Sequence, residues 1–116
     1  MTPPSNLRYL NIDALCSEAE EAGYAYADAK AAYEALEQTR KSVLAQGMKA
    51  YFDEGMPGNK AETLALADES YLDFVRRMVK AGHAADRARV RFEIMKTRIE
   101  LLRTNASTER AAMTMR

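Results

Sequence analysis

Two heptad tracks run through this chain and mirror each other. The first is Ile12, Leu15, Ala19, Ala22, Tyr26, Ala29, Tyr33, Leu36, Arg40, Val43, Gly47 and Ala50; the second is Leu64, Ala67, Tyr71, Phe74, Met78, Ala81, Ala85, Ala88, Phe92, Met95, Ile99 and Leu102. Folded about Met56-Pro57-Gly58, each member of one track meets a member of the other so that the two residue numbers total 114. A seam repeating every seven residues on both arms specifies coiled-coil packing. The expected fold is therefore all-α, a long antiparallel helical hairpin.

Side-chain volumes support this register. Tyr26 is set against Ala88, Tyr33 against Ala81, Phe92 against Ala22 and Met95 against Ala19, so large groups oppose small ones and fill the seam without strain. Ile12 with Leu102 and Leu15 with Ile99 close the open end, while Ala29 with Ala85 makes a thin waist. Gly47 falls opposite Ala67. Arg40 falls opposite Phe74, where its guanidinium either lies on the ring or extends to water.

Local signals divide the single domain, residues 1–116, into an irregular arm (1–10), helix 1 (11–54), a turn (55–59), helix 2 (60–104) and a tail or short helix (105–116). Asn11 is an N-cap candidate, with Asp13, Glu18, Glu20 and Glu21 beside the positive end of the helix dipole. Gly55 followed by Pro57 ends helix 1. Asn59 and Glu62 form a capping box for helix 2, and Asn105 stops it before a restart at Ser107 or Thr108. Gly23, Gly47 and Gly82 cost about 1 kcal/mol each inside a helix. Close approach of another backbone is a reason to keep them, with Gly82 the first place to seek a third helix or second chain.

Composition excludes several classes. No run of 18 apolar residues is present to span a membrane, and Met1–Asn6 lacks the basic and apolar regions of a signal peptide. Cytoplasmic residence is expected, and the lone Cys16, read as a small residue flanking the seam, fits a reducing compartment. His83 is the only histidine and sits at a heptad position opposite the seam, so no zinc set forms with Cys16. Neither GxGxxG nor GxxxxGK[ST] occurs. No catalytic residue, metal site or cofactor is assigned, and the chain is read as non-enzymatic.

What remains is surface. Leu72, Val75, Val79, Gly82, Val90 and Ile94 lie off the seam, with Leu66, Leu101, Tyr24, Leu44, Met48, Tyr51 and Phe52. They cannot all face one partner helix. Contiguous apolar surface marks an interaction site, so the expected partners are a second copy, as a dimer or larger bundle, or a different protein.

Charge offers the competing reading. Residues 1–75 hold 6 basic and 13 acidic side chains, net −7, whereas residues 76–116 hold 11 basic and 4 acidic, net +7. Much of this asymmetry specifies antiparallel register, with Glu18 and Arg98 a cross-helix pair and Asp86, Glu93 and Glu100 within a turn of Arg89, Lys96 and Arg103. After that subtraction, Lys80, Arg87, Arg91 and Arg98 remain near one stripe, a candidate nucleic-acid contact whose affinity would fall steeply with salt.

Arg89-Val-Arg-Phe-Glu93 and the run from Glu100 to Met113, Glu-Leu-Leu-Arg-Thr-Asn-Ala-Ser-Thr-Glu-Arg-Ala-Ala-Met, resemble the end of small helical proteins of tailed phages and prophages. Those proteins have no established activity and are often encoded near recombination genes. The resemblance implies a scaffold or an inhibitor of a host protein, acting in the bacterial cytoplasm, or an accessory factor in phage DNA recombination.

Overall fold

The structure, a computed structural model, describes the backbone of residues 5–114 and the side chains of residues 12–114. Three helices, α1 (Ser5–Asp53), α2 (Gly58–Ala67) and α3 (Glu69–Thr114), make up the all-α hairpin. No strand occurs among the described residues, and no helix there is long and apolar enough to cross a membrane. Contacts divide the chain into two compact units, one of residues 5–27 with 86–114 and one of Asp28–Ala85.

In the first unit, Ala19, Ala22 and Met95 form a buried cluster against which Leu15, Phe92 and Ile99 pack. Ascending positions on α1 meet descending positions on α3, which is the antiparallel seam expected from the heptads. The rings sit one residue away from their expected places, however. Phe92 lies over Gly23 rather than squarely on Ala22, with Cε1 3.1 Å from where a Cβ at position 23 would stand. Its residue numbers total 115 rather than 114. A ring is thicker than a methyl group, and glycine is the one neighbour that leaves it room.

The second unit repeats the device. Tyr33 of α1 lies over Gly82 of α3, with Cε1 3.1 Å from the position of a Cβ there. This corrects the expectation that Gly82 admits a third helix or second chain: the space is filled by a side chain of the same hairpin. Phe74 and Ala85 are buried as their heptad positions require. Arg40 is exposed, and the guanidinium over the Phe74 ring belongs to Arg77, 5.7 Å from the centroid.

Helix α1 ends in a Schellman motif. Gly55 has φ +87, its N–H donates to Phe52 O at 2.9 Å, and Met56 N–H donates to Tyr51 O at 3.1 Å. Those two bonds satisfy carbonyls the helix cannot pair itself. The expected capping box at Asn59 and Glu62 does not form. Helix α2 starts two residues earlier, with extended Pro57 at the N-cap and Ala61 N–H donating to Pro57 O at 2.9 Å, while Asn59 Oδ1 accepts from Lys60 N–H at 2.9 Å. Proline at this point loses no hydrogen bond, because the first helical turn has no use for its N–H.

Asp68 breaks the helix that the heptads predict to run on from residue 60. Its backbone is extended (φ −65, ψ 139), and its carboxylate accepts a hydrogen bond from the Tyr51 hydroxyl of α1. The break changes which face is buried. Ala61 and Ala65 are 0% and 1% exposed, and Phe74 is 4% exposed, yet nine residues separate Ala65 from Phe74, about two and a half turns of continuous helix. They would point opposite ways without the joint. Gly47 accordingly lies against Ala65, whose Cβ is 3.5 Å from a Cβ placed there, and the expected seam member Ala67 is exposed.

The stop expected at Asn105 is absent: α3 continues to Thr114. Asparagine is a weak helix former, but its propensity cost is a fraction of a kcal/mol, too little to end a helix by itself. Thr104 and Thr108 turn their hydroxyls onto Glu100 O and Thr104 O at 3.0 and 2.9 Å, so neither caps a new element.

Candidate functional site

The apolar residues assigned to an interface fall in both units. In Asp28–Ala85, Leu72 and Val75 are half-buried. Val79 is 53% exposed, and Gly82 is occupied by Tyr33. In the other unit, Val90, Ile94 and Leu101 are 46%, 49% and 59% exposed. Their spacing of four and seven residues puts them on one line of α3, opposite the Phe92 and Met95 side that packs on α1.

The basic residues divide likewise. Lys80 is an exposed residue of Asp28–Ala85, and Arg87, Arg91 and Arg98 are exposed in the other unit. Arg87 and Arg91 line a groove of about 450 Å³ with Ala22, Ala25 and Ala88, and with Glu18 and Glu21 on the α1 side. None of Arg87, Arg91 and Arg98 makes an ion pair within 4.0 Å among the described residues. The expected Glu18–Arg98 pair is thus not formed; Glu18 shares the groove with Arg87 and Arg91 instead. On the far side of the apolar line, Arg89 sits between Asp86 at 4.0 Å and Glu93 at 3.6 Å. Lys96 lies over the Phe92 ring at 4.7 Å.

Acid and base line opposite flanks of α3, with an aliphatic strip between them. Cys16 is exposed rather than tucked against the seam, and His83 faces solvent. Among the described residues no three His, Cys, Asp or Glu side chains gather closely enough to hold a metal ion. The sequence names Val90, Ile94 and Leu101 as apolar residues off the seam, but Asp86 and Glu93 are not singled out beside them. Their signal is a second heptad phase on α3, hidden because the stronger inner phase claims the same helix.

Set against known protein families, curated proteins and solved structures, the chain has no match.

Proposed function

We propose that the chain is a non-enzymatic helical interaction protein, phage- or prophage-encoded, that works in the bacterial cytoplasm as a scaffold or as an inhibitor of a host protein. The observation that carries this reading is the line of Val90, Ile94 and Leu101, three aliphatic side chains about half exposed on a helix that is already formed. A preformed helix binds without the entropy cost of folding on contact, and aliphatic anchors spaced four and seven residues apart suit helix-to-helix docking. The phage part of the proposal rests on the resemblance in residues 89–93 and 100–113.

Nucleic acid is the weaker reading. Glu18 and Glu21 share the groove with Arg87 and Arg91, and carboxylates there repel a phosphate backbone. The test is capture with a tagged full-length chain, comparing wild type with Ile94→Asp/Leu101→Asp, alongside titration of labelled single- and double-stranded DNA at two salt concentrations. Loss of a captured protein in the double variant is expected. Salt-sensitive DNA binding that survives Ile94→Asp/Leu101→Asp and is abolished by Arg87→Glu/Arg91→Glu would reverse the assignment.

A further inference from the structure

Residues 90–101 of α3 carry a second, short heptad seam facing away from α1, preceded by Arg87 at the a position before it. With Ile94 and Leu101 at a, Val90 and Thr97 fall at d, Asp86, Glu93 and Glu100 at g, and Arg91 and Arg98 at e. Every charged g position is acidic and every charged e position is basic. We infer that the occupant of this face is α3 of a second copy, lying parallel and in register. The inference rests on the helix-docking reading above and names its partner.

The charge pattern decides orientation. In a parallel pair, each g residue approaches the e residue five positions later on the other helix. Asp86 then meets Arg91 of the second copy and Glu93 meets Arg98, each twice by symmetry. An antiparallel pair brings g to g and e to e, setting acids beside acids and arginines beside arginines. A nucleic-acid duplex fares no better, because the g flank is acidic. A parallel second copy satisfies both flanks with the residues present.

The groups required are free to do this. Arg91 and Arg98 make no ion pair within 4.0 Å among the described residues, and the bridges from Asp86 and Glu93 to Arg89 are solvent-exposed. Exposed bridges of that kind are weakly held and readily exchanged. Thr97 at d is compatible with burial, since its hydroxyl already donates to Glu93 O at 3.0 Å. The seam from Val90 to Leu101 is short, so association is weak and depends on concentration and salt.

Sedimentation equilibrium of the full chain tests the pairing. Wild type is expected to be a monomer–dimer mixture shifting to monomer as salt rises. Glu93→Arg and Arg98→Glu should each weaken the dimer about tenfold, and the double exchange Glu93→Arg/Arg98→Glu should restore it. Orientation is read separately with Thr104→Cys in a Cys16→Ser background, where mild oxidation should link two chains through position 104. A dimer that does not cross-link there, or a double exchange that fails to rescue, overturns the parallel arrangement. A chain that stays monomeric yet captures another protein through Ile94 and Leu101 overturns this inference and leaves the docking reading standing; a monomer that captures nothing removes both.

Discussion

Phe92 occupies the space that a side chain at Gly23 would need: a methyl group there would stand 3.1 Å from Cε1 and 3.3 Å from Cζ. Tyr33 and Gly82 repeat the relationship at 3.1 and 3.3 Å. In each unit the helix gives up about 1 kcal/mol of propensity at the glycine, and gains a ring seated close to the opposite backbone.

Alanine substitutions separate these glycines from Gly47. A Cβ at position 47 meets Ala65 Cβ at 3.5 Å, an ordinary contact, so Gly47→Ala should stabilise by about 1 kcal/mol. At Gly23 and Gly82 the same gain is offset by overpacking of about 1–3 kcal/mol, leaving no gain or a net loss. Urea denaturation followed by circular dichroism measures all three. Adding Phe92→Leu to Gly23→Ala should release the clash, so that the two changes together cost less than the sum of each alone. Equal stabilisation by Gly23→Ala and Gly47→Ala would mean that the ring does not constrain position 23.

Gly55, at φ +87, has open space around its Cα, so a substitution there tests backbone conformation alone. Gly55→Ala should cost about 1–2 kcal/mol, and Gly55→Asn distinctly less, because asparagine tolerates the left-handed region. Matching stabilities for the two variants would argue against a left-handed residue at the end of α1.

Leucine placed on either side of the Asp68 joint reports which face of α2 is inside. Ala65 is 1% exposed, and Ala65→Leu should destabilise by about 1–3 kcal/mol through overpacking. Ala67→Leu, at an exposed position, should change stability by less than about 0.5 kcal/mol. The uninterrupted heptad predicts the reverse order, so one pair of denaturation curves decides between them.

Tyr51 carries a pH signature. Its hydroxyl donates to Asp68, and this hydrogen bond, partial burial and the nearby carboxylates of Asp68 and Glu54 raise its pKa above the ordinary tyrosine value. A raised folded-state pKa means that the hydrogen bond's stabilisation is fully present below about pH 10, the unfolded value. It is lost as pH climbs through the higher folded value. Subtracting the tyrosinate absorbance titration of Tyr51→Phe from that of wild type should leave one group ionising above about pH 10. A midpoint at or below that value would show that the Tyr51 hydroxyl does not donate to Asp68.

The inner seam was readable because it repeats many times. Ala19, Ala22, Phe74, Ala85 and Met95 are all buried, and each sits at a heptad position read from the sequence. The one-residue offset of the rings was not readable, since counting pairs each ring with an alanine in its own layer, and Gly23 and Gly82 read as room for another backbone rather than for a ring of the same hairpin. Ala61 and Ala65 escaped for another reason: Asp68 shifts the phase, and a fixed seven-residue count passes straight through it. Asp68 followed by Glu69 is a helix-start pattern, but it stands in a run that otherwise favours continuous helix and so is not distinctive in the sequence. On the outer face, the chemistry of Val90 and Ile94 was visible, whereas their exposure could be established only after the inner face had been filled.

The Asp68 joint also governs how the hairpin tolerates changes in length. An extra residue inside α2 would rotate its alanines by about 100° without moving Phe74, and one tyrosine hydroxyl would then hold a misaligned splice. An extra residue between Met56 and Pro57, past the Schellman motif, leaves both helices' faces as they are and only lengthens the loop, at a small entropic penalty. Natural length variation in chains of this design should therefore collect at the hairpin tip and avoid the ten residues that follow it, because those ten are the gear that brings two differently phased helices into mesh.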